Sequence, residues 1–414
     1  MNIRSTFAAL LLGATSAAAL AASANAADAV ATEAAAAGFN WSGVYIGFGG
    51  GVGAVLNGFQ FPGTPGSMNA FGGDGFFGEV TLGYDYLVSD RFLIGAFADA
   101  RFGNLGGDLW LGPDTSLDGK YGFDGGLRLG YLVTPNTLGF VSGGYSWQRL
   151  ELSAVADSLS WNADGYFVGA GLETALTGNW TLKSEYRYSN YGSENPLEGG
   201  PPLQFDTSTH TFSMGANYRF GAQNVAGAPI DASAYGWTGF YIGGAIGAGA
   251  MVTDQPDLPI PLSGDGVRGE ISAGYDHELG DKWIIGVVAD AHIGGISTET
   301  DLGGGSFAIK ADYGFDILAR VGAKLSDSTL AYALGGYSWQ HFELSATGGP
   351  DDLDGGSSGF AIGAGLETAV ADRTSVNLEY RYSKFDDQDF GTGMDFGFEP
   401  AFHTVRVGAK YKFN

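Results

Sequence analysis

Apolar and polar residues alternate with a period of two along much of the chain. In Glu79–Tyr86, Val80, Leu82, Tyr84 and Tyr86 fall on one side, and Glu79, Thr81, Gly83 and Asp85 on the other. In Trp180–Ser189, Trp180, Leu182, Tyr186 and Tyr188 oppose Thr181, Lys183, Glu185 and Arg187. Phe212, Met214, Ala216, Tyr218 and Phe220 oppose Ser213, Gly215, Asn217 and Arg219. Near the end of the chain, Val405, Val407, Ala409, Tyr411 and Phe413 oppose Thr404, Arg406, Gly408, Lys410 and Lys412. Successive side chains of an extended chain point to opposite faces, so this pattern predicts strands with one greasy and one polar face.

Strands are expected near 41–54, 77–88, 91–103, 119–133, 137–152, 161–176, 179–191 and 207–220. A second set is expected near 237–250, 267–279, 282–294, 307–325, 329–345, 358–370, 374–385 and 402–414. Their connections alternate in length. Ser89-Asp90, Thr134-Pro135-Asn136 and Thr177-Gly178 are short, as are Gly280-Asp281, Ser326-Asp327-Ser328 and Ala371-Asp372-Arg373. The stretches 55–76, 104–118, 153–160 and 192–206, with their counterparts in the second half, are long. Short turns at one end and long loops at the other are the layout of an outer-membrane barrel, with the short turns in the periplasm. A soluble β-sandwich alternates too, but has no reason to sort its loops this way.

The chain says most things twice. Trp41-Ser-Gly-Val-Tyr-Ile-Gly returns at Trp237, an offset of 196, and Gly78-Glu-Val-Thr-Leu-Gly-Tyr-Asp returns in similar form at Gly269, an offset of 191. Tyr121-Gly-Phe-Asp returns at Tyr313, and Gly143-Gly-Tyr-Ser-Trp-Gln at Gly335. Gly169-Ala-Gly-Leu-Glu-Thr-Ala returns at Gly363, and Glu185-Tyr-Arg-Tyr-Ser at Glu379. Ordered matches with nearly constant offset mean one duplication rather than a solenoid of short repeats. The expected fold is all-β: a transmembrane antiparallel up-and-down barrel of eight strands, present in two tandem copies at 41–220 and 237–414. One sixteen-stranded barrel is the alternative. Each copy is complete, and the Ala- and Gly-rich linker 221–236 is longer than the short turns, which favours two.

Composition sharpens this picture. Glycine supplies 71 of 414 residues, and aromatics are abundant, as suits a crowded lumen with aromatic girdles. The net charge of −25 argues against nucleic acid as a partner. The absence of cysteine excludes thiolate metal sites and cysteine nucleophiles. Residues 1–26 have a basic start, an apolar run from Phe7 to Ala22 and small residues at Ala24 and Ala26, the layout of a secretory signal peptide. An Ala-rich leader, 27–40, follows.

Each copy resembles the small outer-membrane β-barrels known as outer-membrane immunogenic or "porin family" proteins, relatives of the OmpA-type barrel. The resemblance is carried by the opening Trp-Ser/Thr-Gly-x-Tyr-Ile-Gly, by the Gly-Tyr-x-Trp segments at Gly144 and Gly336, and by Glu-Tyr-Arg-Tyr at Glu185 and Glu379. It implies the Gram-negative outer membrane, with lipid and lipopolysaccharide as surroundings and the barrel-assembly machinery as a partner during biogenesis. The closing segments, with Gly215, Tyr218 and Phe220 and with Gly408, Tyr411 and Phe413, resemble the signal that this machinery reads. Two departures stand out: members usually hold one barrel, and Asn414 follows the terminal Phe here.

The polar face carries charges of both signs. In the first copy Glu79, Asp85, Asp99, Asp124, Glu173 and Glu185 stand against Arg101, Lys120, Arg128, Lys183, Arg187 and Arg219. In the second, Glu270, Asp290, Asp316, Arg320, Glu367, Glu379 and Arg381 recur. An enclosed charge is costly unless paired, so an ion-pair network filling the lumen is expected. An eight-stranded barrel has room for little beyond its own side chains.

No catalytic constellation emerges. His210 and His403 hold matching places, His277 and His292 are isolated, His341 replaces Arg149, and none has metal-ligand spacing. Asp351-Asp352-Leu353-Asp354 and Asp386-Asp387-Gln388-Asp389 read as solvated acidic loops, with weak divalent-cation binding as the sharper reading. The expectation is a non-enzymatic integral outer-membrane protein that contributes to envelope structure and displays surface loops. It carries no cofactor and no metal. The alternative is a diffusion porin for small hydrophilic solutes through a single wider barrel.

Overall fold

The computed structural model describes residues 39–60, 68–108, 115–153, 158–196, 204–222, 235–253, 263–301, 305–347, 353–387 and 399–413. The segment read as a signal peptide, and the leader up to residue 38, lie outside them. Sixteen strands are formed among the described residues. The first eight are β1 (Gly43–Gln60), β2 (Met68–Leu87), β3 (Phe92–Asp108), β4 (Ser116–Thr134), β5 (Thr137–Ser153), β6 (Ser158–Ala175), β7 (Trp180–Glu194) and β8 (Gln204–Arg219). The second eight are β9 (Gly239–Thr253), β10 (Gly264–Leu279), β11 (Trp283–Asp301), β12 (Ser306–Lys324), β13 (Thr329–Ala346), β14 (Leu353–Ala371), β15 (Thr374–Phe385) and β16 (Pro400–Lys412).

Every strand pairs antiparallel with its sequence neighbour within its half. β1 also pairs with β8, from Tyr45 opposite Arg219 to Gln60 opposite Gln204. β9 likewise pairs with both β10 and β16. The chain therefore closes twice, into two eight-stranded barrels, and the single sixteen-stranded barrel is not formed. Each half carries its own opening and closing strand, and these pair with each other within the half. The barrels lie side by side, with one bridge between Thr300 and Met68 joining β11 to β2.

Several strands outrun the sequence pattern. β2 begins at Met68 rather than near 77, and β14 at Leu353 rather than near 358. Strands of 12 to 20 residues exceed the roughly 9–11 that a tilted membrane strand needs. Their upper parts stand beyond the hydrocarbon, where both faces are wet and alternation is no longer required.

Outward residues are apolar and exposed: Leu82, Leu127, Ile271 and Ile293 all exceed half exposure. Such a continuous apolar surface belongs in lipid. Aromatic pairs bound it at both levels. Near the short turns Phe92 packs on Tyr131 at 5.1 Å and Trp180 on Tyr218 at 5.1 Å, with Phe240 on Tyr275 at 4.8 Å in the second barrel. Further up, Phe123 stacks on Trp147 at 5.7 Å, and Phe315 on Trp339 at 5.7 Å. On β4, Phe123 and Tyr131 mark the two levels, separated by about 20 Å of tilted strand. That is close to the apolar band of about 25 Å found on such barrels.

Inward glycines make room for large neighbours. A methyl on Gly83 would overlap the Tyr45 ring, and one on Gly274 would overlap Tyr241. The barrel feet are stoppered by aromatic residues, of which Phe39 and Tyr235 lie in the segments read as leader and linker. Phe39 and Trp41 pack with Leu93, Leu138 and Phe140, and Trp41 Nε1 donates to the Pro135 carbonyl at 3.0 Å. Tyr235 and Trp237 do the same in the second barrel, where Trp237 Nε1 donates to the Asp327 carbonyl at 3.0 Å. Phe39, Ala222 and Tyr235 thus belong to the barrels, because each buries an apolar side chain against a lumen floor.

A protease site inserted between Ala222 and Tyr235 tests the double closure. After cleavage of the folded protein, unboiled gels are expected to show two heat-modifiable species. Loss of heat-modifiability in both fragments would restore the single wide barrel.

Candidate functional site

The strand alternation sends one polar residue in two toward each barrel axis. In the first barrel the lower layer is a ring of two acids and two arginines. Arg128 donates Nε–H to Asp85 at 2.8 Å and an Nη–H to Glu173 at 2.9 Å. Arg219 bridges the same two carboxylates, at 2.8 Å to each. Thr181 and Asn217 donate to Glu173 at 2.5 and 2.9 Å. Both guanidinium groups lie against the Tyr45 ring at 4.8 Å, and Arg219 also lies 4.9 Å from the Trp41 ring.

A second cluster sits above it. Lys183 is 3.1 Å from both Glu79 and Glu185. Arg187 joins Asp99 at 2.8 Å, Asp124 at 2.6 Å and Glu185 at 3.1 Å, with its guanidinium over Phe167 at 4.5 Å. Arg101 adds a second cation to Asp124 at 2.8 Å. Ser142 and Ser146 donate to Glu185 and Asp124 at 2.8 and 2.5 Å. Lys120 stands apart: it sits at the register shift between Gly119 and Tyr121 and pairs with Asp118 at 3.2 Å near the rim. The shift turns it out of the inward sequence of β4.

The second barrel repeats the acids and rearranges the bases. Asp276, Arg320 and Glu367 form its lower layer: Arg320 donates to Asp276 at 3.0 Å and to Glu367, and its guanidinium covers the Tyr332 ring at 3.9 Å. Lys410 reaches Glu367 at 2.8 Å, and Ser375 donates to it at 2.6 Å. Above, Arg381 donates to Asp290 at 3.0 Å, to Glu379 at 2.8 Å and to Asp316. Arg406 donates to Glu270.

The duplication gives an internal comparison. Each of the six inward acids of the first barrel has an acid at the matching place in the second, Asp85 and Asp276 among them. Of the cations, Arg128 and Arg187 match Arg320 and Arg381, while Lys183 becomes Asn377. Its charge is supplied one strand over by Arg406, where the first barrel has Ser213. Asn217 becomes Lys410, so both still hold the same glutamate. All six carboxylates keep their places, whereas the cations do so only in part. Asp276 was legible as the end of the Gly-Tyr-Asp repeat. Arg406 and Lys410 showed themselves as inward positions of the last strand, but no motif tied them to particular acids.

Asp290, His292 and Asp316 bring ligand atoms within 4.8 Å of one another. Arg381 donates to both carboxylates, so a guanidinium already fills the place of a cation. His292 Nε2 lies 3.0 Å from the Gln340 carboxamide oxygen. The neighbouring gap, lined by Glu270, Asp290, Glu379, Arg381 and Arg406, is about 20 Å³, room for about one water. His341 sits at the rim between Asp312 at 2.8 Å and Asp354 at 3.3 Å, and stacks on Tyr313. His277 is exposed, and His210 and His403 face away from the lumens. Of the acidic loops, 351–352 and 388–389 lie outside the described residues.

An exposed apolar belt, two aromatic girdles and a paired polar interior define an integral outer-membrane β-barrel protein with two barrels in one chain. The model of the outer membrane protein beta-barrel domain matches residues 7–220 and again 224–413, and the chain belongs to that family. It is similar to the 31 kDa outer-membrane immunogenic protein of Brucella melitensis biotype 1, at 31% identity over 207 residues, 44% of this chain and 85% of that protein. A 22 kDa outer membrane protein of Rhizobium leguminosarum bv. viciae is 30% identical over 182 residues, 42% of this chain and 72% of that protein. Among solved structures, Neisserial surface protein A covers 42% of this chain and 98% of its own, at 19% identity and a TM-score of 0.31. The protein is accordingly placed in the Gram-negative outer membrane.

Arg381→Met leaves Asp290, Asp316 and Glu379 without their shared cation, and is expected to cost about 3–5 kcal/mol. Lys324→Met, in a partly exposed pair 2.9 Å from Glu278 beside the short turns, is expected to cost under about 1 kcal/mol. Urea midpoints of the heat-modifiable form measure both, and equal shifts would contradict the network.

Proposed function

We propose that the protein is a non-enzymatic structural component of the outer membrane that carries surface loops on two rigid barrels and does not conduct solutes. The filling of both lumens supports this reading. Inward charges such as Asp85, Glu173, Arg219, Asp276, Arg320 and Glu367 are buried in mutual pairs, and Trp41 and Trp237 pack at the feet. The wide lumen on which a diffusion porin depended is not formed.

In this reading the strand extensions above the upper girdle act as stalks for the loops. Acidic side chains there, such as Asp312 and Asp354, would meet lipopolysaccharide through bridging cations. The closing segments, with Gly215, Tyr218 and Phe220 and with Gly408, Tyr411 and Phe413, would each present the assembly machinery with a barrel end. The first of them lies inside the chain rather than at its terminus.

Planar-bilayer recording of the purified full chain tests the closed lumen. Quiet membranes, or rare small events, are expected. Large, stable, voltage-independent steps would overturn the reading in favour of a pore.

A further inference from the structure

Alternation puts an awkward pair of residues on the outer side of each barrel. On β8, His210 falls in line with Phe212, Met214 and Tyr218, and on β2, Asp74 falls in line with Phe76, Val80 and Leu82. The second barrel repeats both, with His403 on β16 and Asp265 on β10. An imidazole beside an apolar strand face is unfavourable unless it finds a polar partner.

The structure covers them with the other barrel. His210 Nε2 of the first barrel lies 3.7 Å from Asp265 of the second, and His403 Nε2 of the second lies 3.2 Å from Asp74 of the first. Each imidazole is held from behind by a tyrosine of its own barrel: Tyr186 Oη is 2.8 Å from His210 Nδ1, and Tyr380 Oη is 2.8 Å from His403 Nδ1. The two Tyr–His–Asp relays are related by the duplication and cross the same seam in opposite directions; His403 Nε2 is within hydrogen-bond distance of Asp74, while His210 Nε2 stops short of one to Asp265.

The seam continues with the same symmetry. Below the relays Phe212 stacks on Tyr380 at 5.4 Å, within an apolar cluster that also holds Tyr186, Leu378 and Val405. At the periplasmic end four threonines meet: Thr137 lies 3.4 Å from Thr368, and Thr174 lies 3.4 Å from Thr329. At the upper end small residues allow close approach: Ala54 packs with Ala250, Val252 and Ala401. A methyl on Gly72 would meet Ser263 and Val252 of the other barrel. Outward residues along this line, among them Ala54, Tyr186, Phe212, Ala250, Leu378 and Val405, are buried, unlike those around the rest of each barrel.

We propose that the two halves of the chain are each other's partner in the membrane: a pseudo-dimer docked through one face that both barrels carry. Within it the crossed Tyr186–His210–Asp265 and Tyr380–His403–Asp74 relays select the pairing. Small residues bring the surfaces together, as they do between membrane helices. Each imidazole meets an acid only when the opposite barrel is present.

The full chain lacks cysteine, so introduced thiols report without background. Thr137→Cys with Thr368→Cys, in a chain carrying a protease site between residues 222 and 235, is treated in intact outer membranes with a short thiol-to-thiol crosslinker. Thr174→Cys with Thr329→Cys serves if the first pair fails to assemble. After cleavage and boiling, the two halves of one chain are expected to remain covalently joined. A Leu127→Cys, Ile317→Cys pair, on lipid-facing strands away from the seam, is expected to give free halves. Linking no stronger than this control, or linking between different chains alone, would overturn the docking. Adding Asp74→Asn and Asp265→Asn should lower the linked fraction by about threefold per relay while both barrels stay heat-modifiable. An unchanged fraction would overturn the selecting role of the relays.

Discussion

Hydrocarbon offers no hydrogen bonds, so every backbone amide crossing it must be satisfied by protein, and a sheet can do this only by having no edge. The remaining features follow from that constraint. Closure of β1 on β8 and of β9 on β16 removes four edges at once. It also forces alternate side chains into a narrow tube, where any charge must find a counter-charge. The paired interior is thus the inner consequence of the same closure that makes the outside greasy. The barrel feet follow the same logic, since Trp41 and Trp237 each bring an indole N–H that reaches a turn carbonyl while the ring covers the lumen floor.

Duplication within one chain separates what the lumen needs from what it tolerates. Carboxylates stay in place on six matched positions, as do Arg128 and Arg187, while the charge of Lys183 on β7 moves to Arg406 on the last strand. A shared acid can be served from either neighbouring strand, because a long Lys or Arg side chain spans the width of a small barrel. Asp124 shows how far sharing goes: Arg101, Arg187 and Ser146 all converge on it. Breaking one partner leaves the others crowded around an uncompensated charge. Stability in such an interior is a property of the layer rather than of a single bond.

The strands, their inward and outward faces and the two-copy organisation were legible in the sequence because all three depend on local alternation and on repetition. Glu79, Glu185 and Arg187 declare their direction through Val80, Tyr186 and Tyr188 beside them. Pairing was not legible, since it depends on which strands face each other across the lumen. Strand length was legible only within the membrane belt: above it, residues 68–76 of β2 keep their ladder without keeping the pattern. Lys120 misled because a bulge at Gly119 breaks the alternation that assigned it inward. His210 and His403 were visible as a matched pair. Their partners, Asp265 and Asp74, lie on the opposite barrel, which no spacing within either copy reveals.

Neighbouring residues of one strand occupy lipid and a sealed interior in turn. Single cysteines at Val141, Ser142, Tyr145 and Ser146 of β5, spin-labelled in reconstituted bilayers, address it directly. Labels at Val141 and Tyr145 should relax with membrane-dissolved oxygen and ignore a water-soluble nickel reagent. Labels at Ser142 and Ser146 should be shielded from both. Strong collision with the nickel reagent at Ser142 and Ser146 would mean a water-filled lumen and would contradict the account.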